Sequence, residues 1–173
     1  MQPIIFALSL LLSVNFAGDF TEEPTTSGEG LVTVVDFDEL QPLLCPQISE
    51  GETYVINFFA TWCVPCVREM PYFQQLHEEY REAGMKLIIV SLDFPRHLES
   101  RLIPFIENND LEAIVYLLDD TRQNYWIPKV DEEWTGAIPA TIVCNGSERK
   151  FFEREFHNVD ELREAVDPFM HKP

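Results

Sequence analysis

The stretch Trp62-Cys63-Val64-Pro65-Cys66 decides how this sequence folds and what chemistry it supports. It follows an apolar run over residues 54–60 and precedes a stretch of helical character over residues 67–83. A strand that delivers two cysteines, two residues apart, to the start of a helix is typical of a reactive dithiol. The helix dipole and the free N–H groups of the first turn stabilise the thiolate of Cys63, and thiolate is the nucleophile in thiol–disulfide exchange.

The composition is that of one globular domain with an acidic surface. The 173 residues include 46% hydrophobic and 24% charged residues, and the formal net charge is −18. A chain of this length can bury a sizeable core. Because no basic run is present, nucleic acid is not expected as a partner. The acidity indicates either a solvated surface or a bias in partner choice, and we favour the solvated surface.

The first seventeen residues predict an export signal, although they lack the usual Lys or Arg. Residues 4–14 are mostly apolar, and Ala17 is a small residue at a plausible cleavage point. The alternative is an uncleaved anchor, but a membrane span needs about 20 apolar residues and this run is shorter. Residues 18–30 are polar and predict a flexible linker. Residues 31–173 then form the folded domain, which is soluble after cleavage or tethered at its N-terminus without it.

Apolar strands that alternate with helical stretches predict an α/β fold. The expected order, β-α-β-α-β-α-β-α-β-β-α, indicates a central mixed sheet flanked by helices on both faces. Pro65 is expected in the first turn of the helix that begins at the cysteines, and Gly84 at the end of that helix. Asn145-Gly146 is a hairpin signal between the last two strands. The predicted strands span 31–35, 53–59, 85–92, 112–118, 138–144 and 150–156, and the other helices span 36–44, 98–108, part of 119–129 and 159–170.

Several motifs together resemble the thioredoxin superfamily. Asn-Phe-Phe-Ala-Thr-Trp-Cys-Val-Pro-Cys at 57–66 is similar to its signature, and Ile-Pro-Ala-Thr at 138–141 resembles its cis-proline motif. Val-Arg-Glu-Met-Pro at 67–71 and Val-Ser-Leu-Asp at 90–93 resemble the TlpA-like branch, the exported disulfide reductases that include ResA-like proteins. The similarity covers roughly residues 31–170 and implies a thioredoxin-like fold.

The resemblance implies separate roles for the two cysteines. Cys63 is expected to attack a client disulfide, and Cys66, one turn into the helix, to resolve the mixed disulfide. The redox-active disulfide is then the only redox group, with no other cofactor and no metal. A structural zinc site needs about four ligands, and Cys45 and Cys144 are isolated, so redox chemistry is favoured over zinc. A peroxiredoxin would have threonine where this chain has Ala60, which disfavours peroxidase chemistry.

The resemblance also moves the expected proton acceptor from the strand to the helix. Thioredoxin has a buried aspartate six residues before its first cysteine, where this chain has Asn57, and ResA-like proteins have a glutamate where this chain has Glu69. A carboxylate near Cys66 can accept its proton when Cys66 attacks the mixed disulfide. The alternative for Glu69 is an exposed acid that complements the helix dipole.

Three residues are expected to contact the client. Trp62 should shield the dithiol and offer an apolar contact, or serve as a partly buried core aromatic. Pro139 is expected to follow a cis peptide bond, on the evidence of the family motif. The backbone of Ile138, in that loop, is expected to pair with an extended client segment as an added strand.

Two further features have no expected catalytic role. Cys45 and Cys144 either form a second disulfide or remain independent buried thiols, and we favour free thiols because their positions do not imply proximity. An aromatic stretch before the cis-proline loop either rims a client groove or covers the sheet edge. We favour the interpretation that it covers the sheet edge. Its members are Tyr125, Trp126 and Trp134.

The sequence therefore predicts an exported, periplasmic thiol–disulfide oxidoreductase that reduces protein disulfides. The resemblance implies client proteins with disulfides, among them apocytochromes c in cytochrome c maturation, or general thiol redox homeostasis. It also implies a membrane electron donor, and we expect a monomer. An oxidase or isomerase is an alternative, because Val64 and Pro65 do not determine the direction of electron flow. A non-catalytic peptide-binding module is another, although the intact Cys63 and Cys66 argue against it.

Overall fold

The computed structural model describes residues 30–46, 51–146 and 148–170, and its elements follow the predicted order. The predicted export signal and nearly all of the predicted linker lie outside these residues. The strands are β1 (Thr33–Val35), β2 (Thr53–Phe59), β3 (Met85–Ser91), β4 (Ile114–Leu118), β5 (Ala140–Asn145) and β6 (Glu148–Phe152). The helices are α1 (Phe37–Leu40), α2 (Val64–Tyr80), α3 (Ile103–Asn108), α4 (Gln123–Val130) and α5 (Val159–Val166).

The strands form one six-stranded mixed sheet in the order β1-β4-β3-β2-β5-β6. The first four strands in this order, β1, β4, β3 and β2, run parallel to one another. Strand β5 is antiparallel to β2, and β6 is antiparallel to β5. In the central strand β2, Asn57 lies opposite Ile89 of β3 and Thr141 of β5. The predicted mixed sheet is confirmed, and the carboxyl end of β2 leads straight into the two cysteines.

Both faces of the sheet are buried, as predicted. Successive side chains of a strand point to opposite faces. Val55 of β2 packs in a cluster with α2, α3 and α5, whereas Ile56 packs in a second cluster with α1 and α4. Because both faces are covered, the central strands carry unbroken apolar runs rather than an alternating pattern. Among the described residues, no helix has the length and apolar character that crossing a bilayer requires.

Helix α2 begins at the cysteines, as predicted, and Cys63 is its N-cap. The Cys63 sulfur accepts a hydrogen bond from the Cys66 backbone N–H at 3.3 Å. Pro65 lies in the first turn, where its missing N–H costs no intrahelical hydrogen bond. This N-terminus, rather than the helix body, is therefore the part of α2 that contacts the redox sulfurs.

The C-terminal end of α2 is terminated by glycine, as predicted. After Tyr80 a 3₁₀ turn, Arg81–Ala83, leads to Gly84, whose φ of 92° lies in the left-handed region. A Cβ added at Gly84 would lie 2.6 Å from the Gly51 carbonyl oxygen, so this close approach also requires glycine. The predicted helix over 98–108 is instead a π-helical turn, Leu98–Leu102, followed by α3.

The aromatic stretch packs on one face of the sheet rather than at its edge, so the favoured interpretation holds only in part. Trp126 and Trp134 are 3% and 4% exposed and belong to the cluster around α1 and α4. The Trp134 ring lies 4.9 Å from Phe58 of β2, and its indole N–H donates to the Ala137 carbonyl at 2.8 Å. Tyr125 is more exposed and lies at the margin of this cluster. Trp126 and Trp134 are therefore core residues, and Trp126 also lines a groove together with Trp62 and Ile138.

The expectation of free thiols at Cys45 and Cys144 was wrong. The two residues form a disulfide with their Cα atoms 5.9 Å apart, although 99 positions separate them in the sequence. Cys45 follows the 3₁₀ turn after α1, and α1 packs on the same sheet face as Cys144 of β5. Only this tertiary packing brings the two residues together, so the local sequence gave no indication of it.

Candidate active site

Cys63 and Cys66 form a disulfide at the N-terminus of α2. Their Cα atoms are 5.3 Å apart. Cys63 is 6% exposed and Cys66 is fully buried, so the first sulfur is the more accessible one. The helix N-terminus offers partial positive charge and the Cys66 N–H to the Cys63 sulfur, which favours its thiolate after reduction.

The residues expected to contact clients lie beside this disulfide. The Ile138–Pro139 peptide bond is cis, and the Ile138 carbonyl oxygen is 3.8 Å from the Cys63 sulfur. Trp62 is 52% exposed, so it is a surface aromatic rather than a core one. The Ile138 backbone is therefore next to the Cys63 sulfur, and the Trp62 ring is open to apolar contact.

A buried aspartate holds the loop that precedes Cys63. The Asp93 carboxylate, 2% exposed, accepts from the backbone N–H of Thr61 at 2.9 Å and from its hydroxyl at 2.6 Å. The Ser91 hydroxyl donates to the same carboxylate at 2.8 Å. These bonds join the end of β3 to the turn before Cys63. Both Ser91 and Asp93 lie in the motif at 90–93 that resembles the TlpA-like branch.

Glu69 is buried, so the alternative of an exposed acid is wrong. Its two carboxyl oxygens accept hydrogen bonds from the Asn57 amide at 2.9 Å and from the Phe156 backbone N–H at 2.8 Å. The Asn57 amide also donates to the Thr141 hydroxyl at 3.1 Å. Glu69 is three residues beyond Cys66 on α2, and this spacing places both on one face of the helix. A network of polar groups thus connects the helix face below the disulfide to β5.

Burial sets the proton affinity of Glu69. Loss of hydration raises its pKa to about 7, because the charged form is the one that burial penalises. The bonds from Phe156 and Asn57 lower the pKa and the nearby charge of Glu155 raises it, but burial is the larger effect. A carboxyl group with a pKa near neutrality can both accept and release a proton at physiological pH, which suits a general base.

One acceptor in this network has no partner. Asn57 Oδ1 is buried and accepts no hydrogen bond within the described part of the chain. A protonated Glu69 carries an O–H that needs an acceptor. Rotation of the Asn57 amide by half a turn presents Oδ1 to that O–H. The amide can therefore serve both protonation states of Glu69.

A groove lies beside the disulfide, and Trp126 of the aromatic stretch lines it, in agreement with the alternative of a client groove. Its volume is about 290 Å³, and Trp62, Phe94 and Ile138 line it together with the carboxylates of Asp119 and Asp120. Phe94 could have indicated this groove from the sequence, because a large aromatic residue directly follows the 90–93 motif in an otherwise polar loop. The groove itself is assembled from several loops and has no local signature.

A thioredoxin-like sheet with a bonded Cys-x-x-Cys pair at a helix N-terminus defines a class of thiol–disulfide exchange proteins. A model of the AhpC/TSA family matches residues 38–148. The thiol-disulfide oxidoreductase ResA of Halalkalibacterium halodurans is 30% identical over 144 residues, which cover 82% of this chain and 77% of that protein. The chain therefore belongs to the AhpC/TSA family, as a thiol–disulfide oxidoreductase of the ResA type.

Two further comparisons agree with this assignment. ResA of Oceanobacillus iheyensis is 54% identical over 44 residues, a match that spans 25% of this chain and only 23% of that protein's length. Among solved structures, a thiol:disulfide interchange protein of the thioredoxin family from Chlorobium tepidum superposes with a TM-score of 0.57 at 20% identity. That superposition covers 69% of this chain and 80% of the Chlorobium chain, and it confirms the thioredoxin-like fold.

Proposed function

We propose that this chain is an exported protein-disulfide reductase that passes two electrons from the Cys63–Cys66 dithiol to client proteins. The observation that carries the proposal is the position of a buried carboxyl group, Glu69, three residues beyond the more buried cysteine of a helix-capping pair. Such a group can take the proton of a thiol that has no direct access to water.

The first step is attack by the Cys63 thiolate on one sulfur of a client disulfide. A bond forms between Cys63 and that sulfur, the client S–S bond breaks, and the other client sulfur leaves as a thiolate. The Ile138 backbone, whose carbonyl oxygen lies 3.8 Å from the Cys63 sulfur, is placed to pair with the client chain during the attack.

The second step releases the client. The Glu69 carboxylate accepts the Cys66 proton, and the Cys66 thiolate attacks the Cys63 sulfur. The second client sulfur leaves as a thiolate, and the proton on Glu69 is then released to it or to solvent. The enzyme is left oxidised, with the Cys63–Cys66 bond that the structure contains. Two electrons have moved from the dithiol to the client.

The surroundings of Cys63 support a reductant over an oxidant. A strongly oxidising dithiol requires strong stabilisation of its thiolate form. When it is ionised, the buried carboxylate of Glu69, three residues beyond Cys66 on α2, disfavours an additional negative charge nearby. An oxidase or isomerase of the same fold is the second candidate, since exchange through the same sulfurs is chemically reversible.

Export is supported by the second disulfide. Structural disulfides persist in oxidising compartments and are rare in reducing ones, so the Cys45–Cys144 bond fits a periplasmic location. A dithiol that works as a reductant there needs a supply of electrons, and we propose a membrane donor, by resemblance to the TlpA-like branch. Apocytochromes c, or disulfide proteins in general redox homeostasis, are the proposed clients, and the proposed state is a monomer.

Two serine variants test the mechanism. Cys66→Ser should accumulate mixed disulfides with clients, visible on non-reducing gels of the exported fraction, because the resolving sulfur is missing. Cys63→Ser should abolish reduction of insulin disulfides, and the Cys63→Ser/Cys66→Ser double variant is the control that traps nothing. Full insulin reduction by Cys63→Ser would contradict the mechanism, and an empty Cys66→Ser trap would favour a non-catalytic binding module.

A further inference from the structure

We propose that the groove beside Cys63 binds the client segment next to its disulfide and selects segments that carry a large apolar side chain beside a lysine or arginine. This inference rests on the proposed function and narrows it to a class of substrate. The groove has a volume of about 290 Å³, room for one large side chain and part of a second. Its walls come from the loop after β3, the end of β4, the start of α4 and the cis-proline loop.

The groove lies next to the reacting cysteine. Ile138 lines it, and the Ile138 carbonyl oxygen is 3.8 Å from the Cys63 sulfur. A client cysteine bonded to Cys63 therefore places its neighbouring residues across Ile138, at the mouth of the groove. Residues of the client next to its cysteine are the ones that the groove can contact.

The apolar part of the groove is open to solvent. Trp62 and Phe94 are 52% and 54% exposed, and both line the same groove. Single exposed apolar residues are common, but two large aromatics at one concave site mark a place where another molecule binds. An aliphatic or aromatic client side chain between these rings would remove their apolar surface from water.

The charged part of the groove is acidic. Asp93, Asp119 and Asp120 contribute carboxylates, and no Lys, Arg or His is among the described residues that line it. Asp93 is committed to Thr61 and Ser91, and Asp120 is paired with Arg122 at 2.6 Å.

Asp119 is the carboxylate that remains available. It is exposed, and its side chain has no hydrogen bond or ion pair within the described residues. Arg96 stacks over the Phe94 ring at 4.3 Å but does not line the groove. A client cation beside the apolar residue would pair with Asp119, and the net charge of −18 attracts basic segments from a distance.

The test uses two synthetic peptides, each with one internal disulfide and a leucine beside the first cysteine. The residue next to that leucine is lysine in one peptide and glutamate in the other, and the peptides are otherwise identical. The reduced enzyme should show a higher kcat/KM for the lysine peptide by up to about fivefold, the upper end of the range for one exposed ion pair. The preference should shrink at 0.5 M salt. Asp119→Lys should reverse it, and Phe94→Ala should lower kcat/KM for both peptides.

The control is Glu78→Lys, the same charge change on an exposed residue of α2, about 22 Å along the helix from Cys63. It should keep the wild-type preference. Equal rates for the two peptides with wild-type enzyme, or a reversal by Glu78→Lys as large as that by Asp119→Lys, would overturn the proposal.

Two further assays separate failure of the groove from failure of the chemistry. Hydroxyethyl disulfide is neutral and too small to fill the groove, so its reduction reports on the dithiol alone. If wild-type enzyme reduces it but does not distinguish the peptides, the groove proposal fails and the proposed function stands. Serine versions of the peptides, followed by fluorescence anisotropy, measure docking without turnover. Tighter binding of the lysine version supports the groove proposal even if no disulfide is reduced, and equal affinities contradict it.

Discussion

The side-chain amide of Asn57 donates a 2.9 Å hydrogen bond to Glu69 in the interior of the protein, where thioredoxin-like chemistry needs a proton acceptor. The strand supplies the amide and the helix supplies the carboxyl group. Phe156 donates to the other carboxyl oxygen at 2.8 Å, so Glu69 is held by two elements at once. This arrangement leads to three predictions about protons, and the two disulfides lead to two more.

Glu69→Gln should slow turnover by about 100-fold or more, which is the usual contribution of a positioned general base. Since only the carboxylate can accept the Cys66 proton, wild-type activity should rise with pH through about 7, the pKa of Glu69. The glutamine variant should lack that rise. The measurement is the pH profile of insulin reduction, with Glu78→Gln on the exposed face of α2 as the matched control. If the Glu69→Gln variant has the same pH profile of insulin reduction as the wild type, Glu69 has a structural role only.

Glu69 should also make the fold less stable as the pH rises. Its pKa is raised from 4.5 to about 7, so the folded state holds the proton more tightly than the unfolded chain does. Stability is therefore lost between about pH 4.5 and pH 7, by up to about 3 kcal/mol for a shift of this size. Urea unfolding at pH 5 and pH 8 should show this loss in the wild type and less of it in Glu69→Gln. Equal pH dependence in the two proteins would show that Glu69 is not the responsible group.

Asn57→Asp should shift the pH profile upward. The substitution places a second carboxyl group within hydrogen-bonding distance of Glu69, and two buried carboxylates that close together cannot both ionise easily. We expect the midpoint of the activity profile to rise by about one pH unit or more. Thr53→Val, which removes a buried hydroxyl of the same strand outside this network, should leave the midpoint unchanged. A midpoint that stays near 7 in Asn57→Asp would mean that the two groups are not coupled.

The Cys45–Cys144 disulfide should stabilise the protein without taking part in catalysis. It closes a loop of 99 residues, and loops of that length correspond to about 5 kcal/mol of stabilisation through the unfolded state. The double variant Cys45→Ala/Cys144→Ala should unfold at lower urea concentration and still reduce insulin at 25 °C. The matched control is Cys63→Ala/Cys66→Ala, whose much shorter loop predicts a smaller loss of stability together with complete loss of activity. Loss of insulin reduction by a folded Cys45→Ala/Cys144→Ala protein would assign the second disulfide a part in the chemistry.

Features that depend on local sequence could be predicted. The Cys-x-x-Cys pair and the glycine that ends α2 follow from neighbouring residues, and the cis bond before Pro139 followed from the family motif. The order of strands and helices also followed from apolar patterning, because both faces of the sheet are covered.

Features that depend on distant residues could not be predicted. Glu69 is held by Phe156, 87 positions away, and Cys45 meets Cys144 only because α1 packs under β5. The groove brings Phe94 and Asp119 together from two separate loops. In each case the packing of the whole domain determines which residues make contact, and no spacing in the sequence predicts these contacts.

The reduction potential of the Cys63–Cys66 pair tests the central claim most directly, because the proposed direction of electron flow depends on it. Equilibration of the purified protein with glutathione or dithiothreitol buffers, followed by the redox-dependent fluorescence of the adjacent Trp62 or by thiol alkylation, gives the value. A reductant should lie near the thioredoxin value of about −270 mV. A potential near about −120 mV, that of a strongly oxidising dithiol protein, would contradict the proposed direction and favour the oxidase.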